Sequence, residues 1–303
     1  MARTFHTLDV FTDTPFAGNP LAVVPDGSGL STEEMQRIAR EFNLSETVFV
    51  LPPENEAHTA KVRIFTPGRE LPFAGHPTVG TAILLALQKF DTVESEQDAL
   101  FVLEEGVGPV RVAVRLKRGE APFAEFDVPS LPKETGPVPP NDRIAPALGL
   151  APNEIGFENH VATRYSAGVE FTYVPVRNLE VIARAMPVMQ HWAGAFGEGD
   201  HPNAFVYCRE TIHQDAAFHA RMFAPAMGVP EDPATGAAAA AFTGVVARFD
   251  EPRDGVHSSF VEQGYEMQRP SEIYLEMDIS AGQLKKIRIG GHAVMVSEGR
   301  LEA

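Results

Sequence analysis

Three short stretches carry the residue types that proton chemistry needs. In "NLSETVFV" (43–50) a single carboxyl, Glu46, enters an otherwise apolar run. Strand side chains alternate, so Glu46 shares a face with Val48 and Val50, and Thr47, Phe49 and Leu51 form the other. Both faces are largely apolar, so the strand reads as buried. Burial raises a carboxyl pKa toward the range useful for shuttling protons. The plainer reading puts Glu46 at an exposed strand start, where most carboxylates are solvated. In "FAGHPTVGTA" (73–82) and "EDPATGAAAA" (231–240) a polar residue precedes proline, with Thr and Gly close behind. Aligned on that polar residue, His76-Pro77-Thr78 corresponds to Asp232-Pro233, followed by Thr235 and Gly236. Each stretch opens a very apolar helix. Helix starts present unpaired backbone N–H groups and a positive dipole end, and small residues let a ligand approach them. Two such starts suit a small molecule bearing carboxylates. The plainer reading is two capped helices, with Asp232 an ordinary N-cap and His76 a structural histidine.

The phrase "PFAGHP" at 72–77 has a near copy, "PFAGNP", at 15–20. The earlier copy lies between two strand-like runs, so it reads as a turn or bulge that needs Gly18, with Asn19 a candidate ligand contact. The later copy feeds a helix. The repeat that matters for chemistry is therefore 76–82 with 232–238.

The elements that must position these residues alternate strands with helices. "RTFHTLDVF", "NPLAVVP", "ETVFVLP" and "TAKVRIFTP" read as strands. "STEEMQRIAREFN" reads as a helix, with Ser31 and Glu34 forming a capping box and Met35, Ile38, Ala39 and Phe42 one apolar stripe. "HPTVGTAILLALQKF" is apolar nearly all round, as an enclosed helix must be. Three more strands come next. "PSLPKETGPVPPND" reads as a linker, and the pattern then repeats: strands, the helix "EDPATGAAAAAFTGVVARF", and more strands. One enclosed helix per half predicts an α/β fold of two similar domains, each a curled sheet around a central helix. Domains are expected at 1–130 and 131–303, with the last strands free to pack back on the first.

Composition excludes several classes. At 303 residues the chain is long for one core. A net charge of −16 argues against nucleic acid, whose phosphates need clustered Lys and Arg. No apolar run reaches membrane-spanning length and no signal-peptide layout opens the chain, so a cytoplasmic location with no membrane partner is expected. Cys208 is the one cysteine, so neither an intrachain disulfide nor a two-thiol mechanism is open to the chain. No metal-ligand spacing is found among the histidines, and no dinucleotide or P-loop glycine pattern, so no cofactor is expected.

Together "DVFTDTPFAGNPLAVV", "NLSETVFV", "RIFTPGRELPFAGHPTVGTA" and "GVPEDPATGAAAA" resemble the PhzF-like family, the phenazine-biosynthesis isomerase-like proteins. The resemblance implies a diaminopimelate-epimerase-type fold and a homodimer. It implies that Glu46 is the general acid/base and that His76 and Asp232 line the site. Ser45, Gly75 and Gly236, with nearby backbone N–H groups, correspond to substrate contacts; Asn19, Thr78 and Ala237 complete the candidate set. Where the phenazine enzymes carry serine after the glycine of "DPATG", this chain has Ala237, which keeps a backbone N–H and lacks a hydroxyl. The expected function is a cofactor-independent isomerase that moves a proton between carbons of a small carboxylic acid like trans-2,3-dihydro-3-hydroxyanthranilate. The alternatives are an amino-acid epimerase or racemase, and a non-catalytic small-molecule binding protein on the same fold.

Overall fold

The computed structural model describes residues 2–90, 95–197 and 202–303. The chain divides into two units, Met1–Pro129 with Gly290–Ala303, and Ser130–Ile289. The sequence assigns all of 131–303 to a second domain while allowing the last strands to return; here the final fourteen positions, 290–303, group with the first unit.

The first unit holds β1 (Ala2–Val10), β2 (Asn19–Val24), α1 (Thr32–Phe42), β3 (Glu46–Leu51), β4 (Ala60–Phe65), β5 (Glu70–Leu71), α2 (Gly75–Lys89), β6 (Gln97–Glu105), β7 (Gly108–Leu116) and β8 (Phe123–Asp127). β1 pairs antiparallel with β2, β2 parallel with β3, and β3 antiparallel with β4. β4 pairs antiparallel with β5 and parallel with β6, which continues antiparallel through β7 to β8. The second unit holds β9 (Lys133–Glu134), α3 (Asn141–Ala147), β10 (Thr163–Ser166), β11 (Glu170–Pro175), α4 (Leu179–Arg184), α5 (Met189–Phe196), β12 (Ala204–Cys208), β13 (Phe218–Ala224), β14 (Val229–Asp232), α6 (Gly236–Phe249), β15 (Gly255–Gln263) and β16 (Ser271–Ser280). Its pairings repeat the same order. β10–β11 is antiparallel, β11–β12 parallel, β12–β13 and β13–β14 antiparallel, β13–β15 parallel, and β15–β16 antiparallel. The last strand, β17 (Gln283–Glu302), pairs with β8 and, through Ala293–Glu302, with β1. That pairing closes the first unit's sheet into a ring.

Each sheet wraps one helix. α2 packs on β1, β2, β3, β6, β7 and β8, and α6 on β9, β10, β11 and β16. Both helices are apolar on nearly every face because the sheet surrounds them, so small residues sit where strands come close. Gly80 of α2 is one such position: a Cβ there would lie 2.6 Å from Leu21 and 2.7 Å from Val10. α1 has the expected capping box, Glu34 N–H to Ser31 Oγ at 3.2 Å and Ser31 N–H to Glu34 Oε2 at 2.8 Å. Met35, Ile38 and Ala39 are buried with Phe49 and Phe65, and Phe42 packs against them.

Two sequence expectations change. The proline-rich stretch after residue 129 is not plain linker, since Lys133–Glu134 pair with β10 and α3 begins at Asn141. α4 and α5, which supply the parallel crossover from β11 to β12, have no counterpart in the sequence pattern. They are short, and their apolar residues, Val181 and Ile182 of α4 and Trp192 and Phe196 of α5, count toward a core that also takes Ile144 of α3.

Candidate active site

Glu46 stands where α1 hands over to β3. Asn43 takes the left-handed conformation (φ 51°) and ends the helix. The chain then enters parallel pairing beside β2, with Glu46 opposite Leu21. Glu46 is the first residue of β3, and its side chain is 16% exposed, neither solvated nor fully enclosed. The strand beyond it is buried on both faces, as its alternation implied.

His76 lies in the first turn of α2. It is 4% exposed, and burial holds its imidazole down to about 3, so the ring is neutral at physiological pH. His76 Nε2 lies 3.3 Å from Glu46 Oε2. Charge attraction would favour an imidazolium there, but desolvation outweighs it and the pair lacks hydrogen-bond alignment at Nε2. The contact is a neutral histidine beside a carboxyl. Gly75 is the first residue of α2, and no side chain caps the helix at Ala74.

Asn19 begins β2 and is fully buried, paired in register with Val10. Gly18, at φ +64°, could carry no side chain: a Cβ would sit 2.4 Å from the Val10 carbonyl oxygen. Asp9 Oδ2 accepts the Phe16 N–H at 2.6 Å and folds the turn back. Ser45 precedes β3 and is half-buried. Thr78 is buried, and its hydroxyl contacts the Ala74 carbonyl oxygen (2.8 Å) and Glu105 Oε1 (2.7 Å), so that hydroxyl is engaged within the fold.

In the second unit Asp232 ends β14, is 8% exposed, and accepts the Thr235 hydroxyl proton at 2.6 Å. It is not the N-cap of α6. That position is Thr235, whose side chain makes no cap bond, and the helix begins at Gly236, with Ala237 partly exposed beside it. The helix starts therefore align differently from the polar-residue-before-proline reading. Gly75 matches Gly236, Pro72 matches Pro233, and His76 matches Ala237, because α2 begins before Pro77 and α6 after Pro233. Cys208 lies in the second unit's core, where burial pushes its thiol up to about 12.

Sequence reasoning missed Glu105 and Gln263, each the last residue of its strand, β6 or β15, and each touching the start of the central helix of its own unit. The signal was present as "LEEGV" at 103–107 and "VEQGY" at 261–265.

The curled sheets and their helices are shared with solved structures. A PhzF-family phenazine biosynthesis protein of Bacillus anthracis superposes with TM-score 0.89 at 28% identity, covering 100% of both chains. A hydroxyproline epimerase of Agrobacterium vitis, at 14% identity and TM-score 0.65 over 99% of this chain and 92% of its own, shares the fold. The architecture is thus epimerase-like. The family model described as phenazine biosynthesis-like protein matches residues 8–299, and the chain belongs to that family. An uncharacterized isomerase of Mesorhizobium japonicum is 52% identical over 99% of this chain and 98% of its own. The trans-2,3-dihydro-3-hydroxyanthranilate isomerase of Pseudomonas aeruginosa is 35% identical over 98% of each. The protein is an isomerase.

Proposed function

We propose that this isomerase moves a proton between two carbons of a small unsaturated or hydroxylated carboxylic acid, with Glu46 as the general acid/base. The carrying observation is the 3.3 Å approach of Glu46 to a buried, neutral His76 at a helix start without a side-chain cap. Glu46 takes a proton from one carbon, the C–H electron pair delocalises toward the carboxylate or the adjacent double bond, and Glu46 returns a proton at another carbon after the one it holds has been open to exchange with solvent. Charge and atoms balance without an external oxidant or reductant. A neutral imidazole suits this role, since it orients a polar group without competing for the proton. Backbone N–H groups at the start of α2 suit the substrate carboxylate and the negative charge that develops. Asp232, and the backbone at Gly236 and Ala237, are proposed to contact the substrate's other polar groups. The substrate class follows the 35% identical relative, so trans-2,3-dihydro-3-hydroxyanthranilate is the first compound to test.

Proton NMR in D₂O with that compound, on wild type and Glu46→Gln, tests the reading. Turnover with deuterium uptake in wild type, reduced on the order of 10²-fold or more in the variant, supports it. Full turnover by Glu46→Gln removes Glu46 from the role. Inversion of an amino acid's configuration in a parallel panel would favour the epimerase alternative instead.

A further inference from the structure

The strand ends that touch the two central helices match residue by residue. Glu104 accepts the backbone N–H groups of Glu54 (2.7 Å) and Asn55 (2.8 Å) and contacts His58 Nδ1 at 2.8 Å. Glu262 accepts those of Ile212 (2.6 Å) and His213 (2.7 Å) and contacts His219 Nδ1 at 2.6 Å. Two residues on, Gly106 lies against Pro72 and Gly264 against Pro233, each so close that a Cβ would overlap, at 2.7 and 2.6 Å. Between them stand Glu105 and Gln263. The Gln263 amide donates to the Asp232 carbonyl oxygen (2.7 Å) and to Thr235 Oγ1 (3.1 Å), and its oxygen accepts the Thr235 N–H (3.2 Å). An amide thus braces the opening of α6.

Glu105 meets the opening of α2 in the same way, but a carboxylate has no proton to donate. Thr78 Oγ1 stands 2.8 Å from the Ala74 carbonyl oxygen and 2.7 Å from Glu105 Oε1. A hydroxyl has one proton. The carbonyl can only accept, so both contacts are hydrogen bonds only if Thr78 donates to Ala74 and the carboxyl donates to Thr78. Glu105 is 8% exposed, and its Oε2 has no hydrogen-bonding partner among the described residues. A charge left there would be desolvated and half-satisfied.

We propose that Glu105 is held as a neutral carboxylic acid that donates to Thr78, the counterpart of the Gln263 amide, and that it is a positioning residue for His76. Ionising Glu105 loses the donor, loosens the first turn of α2, and moves His76 from Glu46. Burial pushes the Glu105 carboxyl up to about 8 against the weaker opposing pull of Thr78, so the loss falls in the alkaline range. The charged groups lining the adjoining pocket wall are matched among themselves: His58 with Glu104, Lys61 with Glu54, and Arg63 with Glu70. On α2 the titratable neighbour is His76, which is neutral across this range.

The role in catalysis rests on the proposed function, but the protonation state does not. Infrared spectra of wild type at neutral pH are expected to show a protonated-carboxyl band that is absent in Glu105→Gln and that disappears as the pH is raised through about 8. Lack of that band overturns the proposal with no substrate involved. In the deuterium-exchange assay Glu105→Gln is expected to stay within about threefold of wild type at neutral pH and to lose the alkaline fall in rate, because the amide keeps the donor. Glu105→Ala is expected to lose activity on the order of 10²-fold through misplacement. A Glu105→Gln profile with the same alkaline limb as wild type, from protein that melts normally, also overturns it. If wild type turns over no substrate, the function reading fails alone and the infrared result still decides.

Discussion

Glu46 and His76 are thirty positions apart, yet they make one unit because each sits at the first turn or first residue of its element. Burial sets the histidine's state more strongly than the carboxyl beside it, which is why the pair is suited to proton transfer rather than to ion pairing. Ala237 stands where the resemblance to the phenazine enzymes implies a serine. It stands at the start of α6 with its side chain partly exposed, so a serine there adds a hydroxyl without crowding the core. Ala237→Ser is therefore expected to raise turnover of trans-2,3-dihydro-3-hydroxyanthranilate several-fold, on the order of one added hydrogen bond. Unchanged or lower turnover, measured in the same exchange assay, would show that the missing hydroxyl does not limit this substrate.

The two copies of "PFAG" show how an element overrides its letters. In the first, Gly18 takes φ +64° and turns the chain between β1 and β2. In the second, Gly75 is helical and opens α2. The residues after each copy make the difference: "NPLAVV" is a strand-forming run, whereas "HPTVGTAILLALQK" is a helix-forming one. Gly18→Ala is expected to destabilise the protein by about 2 kcal/mol or more, because the left-handed conformation disfavours a Cβ and that atom would meet the Val10 carbonyl. Asn19 would shift with it. Urea denaturation checks the first effect, and a midpoint equal to wild type would show that the turn relaxes at no cost.

For the molecule as a whole, three buried groups with strongly shifted pKa values contribute to the pH dependence of stability. His76 has a folded pKa near 3, below its ordinary value, so the folded state binds fewer protons and stability falls as pH drops from about 6.5 toward 3. Glu105 is raised to about 8, so the folded state binds more protons and stability falls as pH rises from about 4.5 to 8. Burial disfavours the charged form of His219, but its contacts with Glu262 and Glu266 prevail and raise it to about 9. Its contribution is complete below about 6.5 and is lost as pH rises through 9. Thermal midpoints measured across about pH 4 to 10, roughly three units on each side of neutrality, are expected to peak on the acid side of neutral. Glu105→Gln should flatten the decline between about pH 4.5 and 8, and a maximum near pH 9 would contradict the assignments of both Glu105 and His219.

By itself the sequence determined what local pattern can encode. The capping box at Ser31 and Glu34, the buried strand after Glu46, the two all-apolar helices and the family motifs were all legible, since each depends on neighbours within a few positions. Tertiary structure decided the rest. It brought Glu46 to His76, placed Asp232 on Thr235 rather than at a helix cap, and shifted the match between the helix starts by aligning Gly75 with Gly236. It also gave Glu105 a function-bearing position that its place in "LEEGV" does not announce. The reason is physical: protonation and pairing depend on which distant groups exclude water from a side chain, and strand pairing across a closed ring sets that, not adjacency along the chain.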